Sequence, residues 1–581
     1  MRRPSPRLLL AVLVLCTAAR AARPYRGGVV ATAYPQASAA ALEMLDRGGN
    51  AVDAAVAAAF AAGVVGPYHN GVGGGGLALV ALADKGEVLA LDFREVAPAG
   101  ASRDMYIRNG QPQPKLATDG GLAVAVPNAG QGYLALLDRA GTLKRSVVLA
   151  PAIRLAREGF VVTPKYQQLA TPRVECLRAN ADAARIFLRP GPEGAPDVPP
   201  LGTVIRQPEL ARTLEQLVAK GPSIFHGGPL ARAIVSSVRE AGGVLTEEDL
   251  ARIRVRWRTP LTGEYRGHRI ASFPPPSAGG VVLLETLGVL ERLRPSGYVR
   301  RAPEDLHLLI EALRRAYADR ARYLGDPDQV DVPTARLLSP EHVAELAASI
   351  DPKRATPSTA LGGAAARQDA GTPSGAVLGG TESKHTTHLS VMDRRGNTVS
   401  LTTTLNTGFG SCVVARGTGV LLNNQMDDFS LQPGVPNTYG LVSEEVNAIA
   451  PGKIPLSSTT PTLVFQRERP GRVLLAVGSP GGSTIPTTVL QVITNLIDAK
   501  LNLPMAVSAG RVHEQWLPDV VMVDRESIEP ATRAALEAMG HRFRVLDFPL
   551  GDAEAVMEDP QTGLRYAASD PRNEGAALGQ P

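Results

Sequence analysis

Residues 387–405 read THLSVMDRRGNTVSLTTTL, two runs of alternating apolar and polar residues on either side of Asp393-Arg394-Arg395-Gly396-Asn397. Alternation marks a strand with two unlike faces, and a three-residue loop with glycine at the position needing positive φ closes two such strands into a hairpin. The register checks itself. Leu389 falls opposite Leu401 and Val391 opposite Val399, giving an apolar face, while His388, Ser390, Thr398, Ser400 and Thr402 line the other. The same register sets Thr386 opposite Thr404, and opposed residues of an antiparallel pair have Cα atoms about 4.5–5.5 Å apart. Two threonine hydroxyls therefore meet at a strand end, which is expected to be exposed.

Most threonines in such a hairpin are there because threonine suits a strand. Thr386 differs in its context. Residues 357–385 are a run of Ala, Gly, Ser, Thr and Pro with almost no apolar periodicity, read as a mobile linker, and regular structure resumes at Thr386. A threonine hydroxyl is a poor nucleophile without an adjacent base, and an N-terminal threonine carries one as its own α-amine, with a pKa of about 8. That amine becomes free only if the chain is cut between His385 and Thr386.

Elsewhere the chain reads as an ordinary globular protein. Residues 36–46 form a helix stopped by Gly48 and Gly49, and Asn50 with Asp53 opens a second, Ala-rich helix. The glycines of 71–76 (GVGGGG) follow that helix and precede a strand, the reverse of a dinucleotide loop, and so read as a tight turn. Residues 77–93 read as a strand pair, and 145–320 as mostly helical with Pro-rich breaks such as 273–276. Val473–Val477 is a strand and Thr487 onward a helix, leaving Gly478–Ser483 as a turn with free backbone N–H groups.

The first 21 residues carry Arg2, Arg3 and Arg7, an apolar run too short to span a bilayer, and Ala19-Arg20-Ala21, so they read as a signal peptide with the mature chain starting near Ala22. Removing them takes away four arginines and no acid, and the formal charge drops from +5 to +1. Nucleic-acid binding thereby loses its electrostatic basis, and 4% aromatic content offers little for stacking on bases. No cofactor is expected. His513-Glu514 begins a zinc-protease pattern, but Leu517 stands where its second histidine belongs, so no metal is expected either. Cys176 and Cys412 do not make a disulfide framework, and the sequence leaves open whether they pair. The chain has no Asn-x-Ser/Thr sequon, which favours a bacterial exported protein, periplasmic or secreted.

The motifs Thr386-Thr387-His388-Leu389-Ser390, Thr404-Leu405-Asn406, Asn423-Asn424-Gln425-Met426-Asp427-Asp428, Pro455-Leu456-Ser457-Ser458, Gly478-Ser479-Pro480-Gly481-Gly482-Ser483 and, upstream, Asp92-Phe93-Arg94-Glu95 follow one another in an order and spacing that resemble the gamma-glutamyltransferases. The resemblance covers nearly all of the chain beyond the signal segment. It implies an α/β (α+β) protein, an N-terminal nucleophile hydrolase with an αββα sandwich, made as one precursor and matured to a large subunit, 22–385, and a small catalytic subunit, 386–581. It also implies a reaction in which glutathione or another γ-glutamyl amide acylates Thr386, and water, an amino acid or a dipeptide takes the acyl group.

Each residue carried over has a physical reason. The γ-glutamyl group presents an α-carboxylate, which Arg94 can grip with its planar fork and Ser457 and Ser458 with hydroxyls. Its α-ammonium suits Asn406, Gln425 and Asp428, the last with opposite charge. Gly481 and Gly482 match the oxyanion hole, Thr404 orients the nucleophile, and Tyr439, in the Pro433–Gly440 loop, matches a lid residue. His385 departs from the small or amide residue expected before the cut, and bears on its rate. The competing enzyme reading is an acylase of the same fold acting on glutaryl amides. Arg94 with Asp428 disfavours it, because glutaryl lacks the α-amino group.

Overall fold

The computed structural model describes residues 23–191, 194–363, 385–525 and 527–581. The expected signal segment and residues 364–384 of the expected linker lie outside these. Among the described residues no helix is long and apolar enough to cross a membrane.

In chain order the elements that frame the site are β1 (Val29–Thr32), α1 (Pro35–Asp46), α2 (Ala51–Val65), β2 (Gly75–Leu82), β3 (Glu87–Asp92), β4 (Arg256–Arg258), β5 (Leu261–Tyr265) and β6 (His268–Ser272). There follow α3 (Gly279–Leu293), α4 (Pro303–Tyr323), β7 (Thr387–Met392), β8 (Thr398–Thr404), β9 (Thr462–Phe465) and β10 (Val473–Gly478). The last are α5 (Ile485–Ile497), β11 (Glu554–Glu558), β12 (Arg565–Ser569) and β13 (Ala576–Gly579). A seven-stranded sheet runs β4-β3-β2-β8-β7-β1-β13, and a six-stranded sheet runs β5-β6-β9-β10-β11-β12.

The predicted hairpin forms in the predicted register, with Leu389 opposite Leu401 and Val391 opposite Val399. Its apolar face packs with Val30, Ala78 and Val80 beneath α1 and α2. The α2 sequence is apolar all round, as suits a helix covered on every side, and only Gly63 of its fifteen residues is not buried. Its start is held by a capping box: Asn50 accepts from the Val52 and Asp53 N–H groups while Asp53 accepts from Asn50 N–H. Asp53 also takes the N–H groups of Thr142 and Leu143, so this buried carboxylate is fully used.

Between the sheets lies a second apolar layer that includes Val29, Leu77, Leu79, Ala271, Leu463, Ala476 and Val556. A third, on the outer face of the six-stranded sheet, joins Ile270, Leu475 and Ala555 to α3, α4 and α5. The result is the αββα sandwich that the resemblance implies. The polar face of the hairpin lies within it: His388 bonds Thr402 and Ser390 at 2.8 and 3.0 Å, and the Ser390 and Ser400 hydroxyls donate to the Glu554 and Val477 carbonyls of the facing sheet. Burial pushes the His388 imidazole down to about 3, so it is a neutral member of this network.

Two expectations need correction. The linker does not begin at Pro357: Ser358–Leu361 is a 3₁₀ turn, Ser358 is wholly buried, and its carbonyl accepts from the Trp516 indole at 2.9 Å. Small polar residues there serve as close-packing contacts, which composition cannot tell from a linker. The stretch 145–320 is mostly helical, as expected, with β4, β5 and β6 among its interruptions. The Thr386 strand end is not exposed but 3% accessible, because a second sheet and the loops before Asp428 and Ser457 cover it.

Candidate active site

Thr386 stands one residue before β7 with φ of 111°, a region that side-chain-bearing residues rarely adopt. Holding it there costs about 1–3 kcal/mol. The neighbouring structure supplies the constraint: Thr386 Oγ1 lies 3.0 Å from Thr404 Oγ1, which accepts the Asn406 N–H at 2.8 Å. Asn406, also at positive φ, donates its amide to the Asn424 carbonyl and receives at its own carbonyl the Tyr439 hydroxyl, 2.8 Å away. The glycines before β2 make room for this. A β-carbon at Gly74 would lie 2.0 Å from the Thr404 carbonyl oxygen, and one at Gly75 would lie 2.3 Å from Glu95 Oε2.

Opposite the threonines is a buried charge cluster. Arg94 follows β3 and is wholly buried. Its Nη2 lies 3.3 Å from Asp428 Oδ2 and its Nη1 3.4 Å from Glu95 Oε2, and Gln425 donates to the same Asp428 oxygen. Burial raises the Asp428 carboxyl to about 6 against the pull of Arg94 and Gln425, and raises Glu95 to about 7 against Arg94. Asp427 is pushed up to about 7 by burial and by Asp428. Two carboxylates share one guanidinium, and Arg94 donates to Asp428 through Nη2 while its buried Nε and Nη1 make no hydrogen bond.

Ser457 Oγ lies 2.9 Å from Thr459 Oγ1, and its backbone is clamped to the proline-rich segment before α3, through Ser457 N–H to the Pro276 carbonyl and Ala278 N–H to the Ser457 carbonyl. The glycine turn after β10 puts Gly481 and Gly482 at φ of 134° and 56°. A β-carbon on Gly482 would collide with the Tyr439 ring at 2.2 Å, so only glycine lets the ring seat here.

Arg94, Thr386, Thr404, Asn406, Gln425, Asp428, Tyr439, Ser457, Ser458 and Gly482 line one cavity, together with Leu441, Thr459 and Ile485. It measures about 20 Å³, room for roughly one water. Gly481 and His385 lie outside this lining; the His385 ring is buried against Gly408. A roomier groove of about 820 Å³ at Arg300, Arg525 and Phe548 shares no residue with the cavity. Its lining includes Ser508 and Ser527 but neither hairpin threonine, and the smaller cavity, where Thr386 meets Thr404, is the candidate site.

Glu95, Asp427 and Thr459 were not singled out from sequence for any role. Glu95 adjoins Arg94 and Asp427 adjoins Asp428, and an acid beside an assigned residue is the available signal. No sequence signal pointed to Pro276 as the support of Ser457.

A family model described as gamma-glutamyltranspeptidase matches residues 37–580. The chain is 40% identical over 548 residues to a glutathione hydrolase proenzyme of Escherichia coli (strain K12), covering 94% of this chain and 90% of the relative. Among solved structures it resembles a cephalosporin acylase from Bacillus halodurans, with TM-score 0.81, 29% identity and 97% of each chain covered. It also resembles the gamma-glutamyltranspeptidase of Helicobacter pylori, with TM-score 0.53 and 39% identity over 56% of this chain and 92% of that one.

Proposed function

The chain belongs to the gamma-glutamyltranspeptidase family, and from that premise we propose that it cuts itself before Thr386 and then uses Thr386 to hydrolyse and transfer γ-glutamyl groups. The observation that carries this reading is the cavity in which the Thr386 hydroxyl, 3.0 Å from Thr404, faces Arg94 and Asp428. A γ-glutamyl group needs both a cation for its carboxylate and an anion for its ammonium near one nucleophile.

In maturation, Thr386 Oγ attacks the His385 carbonyl carbon, the C–N bond breaks, and the acyl group passes to oxygen as an ester. Water then opens that ester, leaving a His385 carboxylate and a free Thr386 amine and hydroxyl. The strained φ of Thr386 favours this step, because breaking the peptide bond releases the constraint. In turnover the amine takes the hydroxyl proton as Oγ attacks the γ-carbonyl, and the same proton goes to the departing amine. The backbone N–H groups of Gly481 and Gly482 stabilise the oxyanion. Arg94, Ser457 and Ser458 hold the α-carboxylate, and Asp428, Gln425 and Asn406 hold the α-ammonium once substrate separates Arg94 from Asp428. Tyr439 closes over it. Water or an acceptor amine completes the cycle.

The subunits are 22–385 and 386–581, and residues 1–21 direct export. Sequencing the N-termini of the mature protein tests both, with the expected starts near Ala22 and at Thr386. Purified protein given glutathione should release glutamate, and an added acceptor dipeptide should become γ-glutamylated. Thr386→Ala should remain one chain with no such activity. Hydrolysis of a glutaryl anilide in preference to the γ-glutamyl anilide would instead identify an acylase.

A further inference from the structure

Cys176 and Cys412, 236 positions apart in the sequence, form a disulfide with Cα atoms 5.8 Å apart. They fall on opposite sides of the proposed cut before Thr386. We infer that the two subunits of the matured enzyme are covalently joined by this cystine, which also anchors the far end of the loop carrying Asn406. The inference rests on the cleavage reading above. Maturation as proposed breaks one peptide bond and involves no sulfur, so the bond between the two sulfurs outlasts the cut.

The surroundings form a built seam between the two halves. Arg173 Nη2 lies 3.2 Å from both Cys176 Sγ and Cys412 Sγ and donates to the Gly410 carbonyl at 2.8 Å, while its Nη1 pairs with Asp119 at 2.7 Å. Asp119, Arg173 and Cys176 belong to the large subunit, Gly410 and Cys412 to the small one. Asn424 crosses the same seam by donating to the Thr118 carbonyl at 2.8 Å, and its own side-chain oxygen accepts the Thr407 N–H.

The loop so held is conformationally demanding. Asn406, Phe409 and Cys412 all sit at positive φ, at 81°, 58° and 60°, and such backbone persists only where its surroundings over-determine it. One end is fixed by the Thr404 and Asn424 bonds, the other by the disulfide. Before the cut the cystine closes a loop of one chain. After the cut it keeps one subunit at high effective concentration beside the other, and its contribution shows wherever the non-covalent seam is weakened. A cystine also fits the oxidising compartment that an exported chain reaches.

The test is a denaturing gel of the alkylated, matured protein. Without reductant it should run as one species of the full mass, and with dithiothreitol as two. Cys176→Ser and Cys412→Ser should give two species in either lane, and the Cys176→Ser complex should separate on size exclusion at a urea concentration that leaves the parent as one particle. Two species from the parent without reductant would overturn the cross-link. If the chain does not cut itself, a specific protease site placed before Thr386 supplies the break and the same two lanes are read again, so failure of self-cleavage and failure of the cross-link are distinguished.

Discussion

At the scale of single residues the candidate site is a balance of buried charges. Arg94 serves two carboxylates, and in the proposed role a γ-glutamyl carboxylate must compete for it. A planar fork can rearrange toward a new partner and keep two bonds, whereas an ammonium offers a point charge. Arg94→Lys is therefore expected to mature normally and lose roughly 10- to 100-fold in kcat/KM, the range of one charge-assisted hydrogen bond of about 1.5–3 kcal/mol. Unchanged kinetics would remove Arg94 from the carboxylate site. Asp428 yields a pH prediction. Its carboxyl is raised to about 6 by burial, with Arg94, Gln425 and Arg320 pulling it down. Above that pH it is charged and, in the proposed role, holds the substrate ammonium; below it the charge is lost. KM for a γ-glutamyl anilide should accordingly rise as pH falls through about 6, and Asp428→Asn should raise KM above that pH, match the parent well below it, and abolish that dependence.

At the scale of elements the hairpin unites stability and chemistry. The apolar side chains of β7 and β8 anchor it beneath α1 and α2. Leu401 is wholly buried, opposite Leu389 on one side and Ala78 on the other. Leu401→Ala should cost about 2–5 kcal/mol, read as a lower urea midpoint. Thr404 ends β8 and makes two bonds, to Thr386 Oγ1 and from Asn406 N–H. Its loss leaves the proposed nucleophile in place but unoriented. Thr404→Ala should slow both the appearance of the two subunits and turnover while abolishing neither, and parent-like rates for both would rule out that positioning role.

At the scale of the molecule the two halves on either side of Thr386 are not separate domains. In the seven-stranded sheet β7 and β8 lie between β2 and β1, and β13 closes the edge beyond β1, so strands from after the cut occupy the middle of a sheet begun before it. The six-stranded sheet likewise adds β9 to β12 onto β5 and β6. Each half alone would expose unpaired strand edges and the apolar layer between the sheets. Chains 22–385 and 386–581 made separately should show no cooperative unfolding, and folding them together should restore it along with γ-glutamyl activity. A half that unfolds cooperatively by itself would contradict this interleaving.

The amino-acid order alone determined the hairpin and its register, because side chains of a strand alternate and a slip of one residue would bury the wrong face. It likewise determined the capped Ala-rich helix after Asn50 and, through motifs that resemble a family, nearly every residue lining the cavity. What it could not determine depends on contacts between residues far apart in the chain. That the polar face of the hairpin is interior, that Ser358 is core, that Cys176 meets Cys412 and that Glu95 and Asp427 crowd Arg94 and Asp428 were all decided by contacts between distant parts of the chain. Local pattern records which face of an element is apolar. Only the assembled layers decide what each polar group meets, and a buried charge takes its protonation and its use from that neighbour.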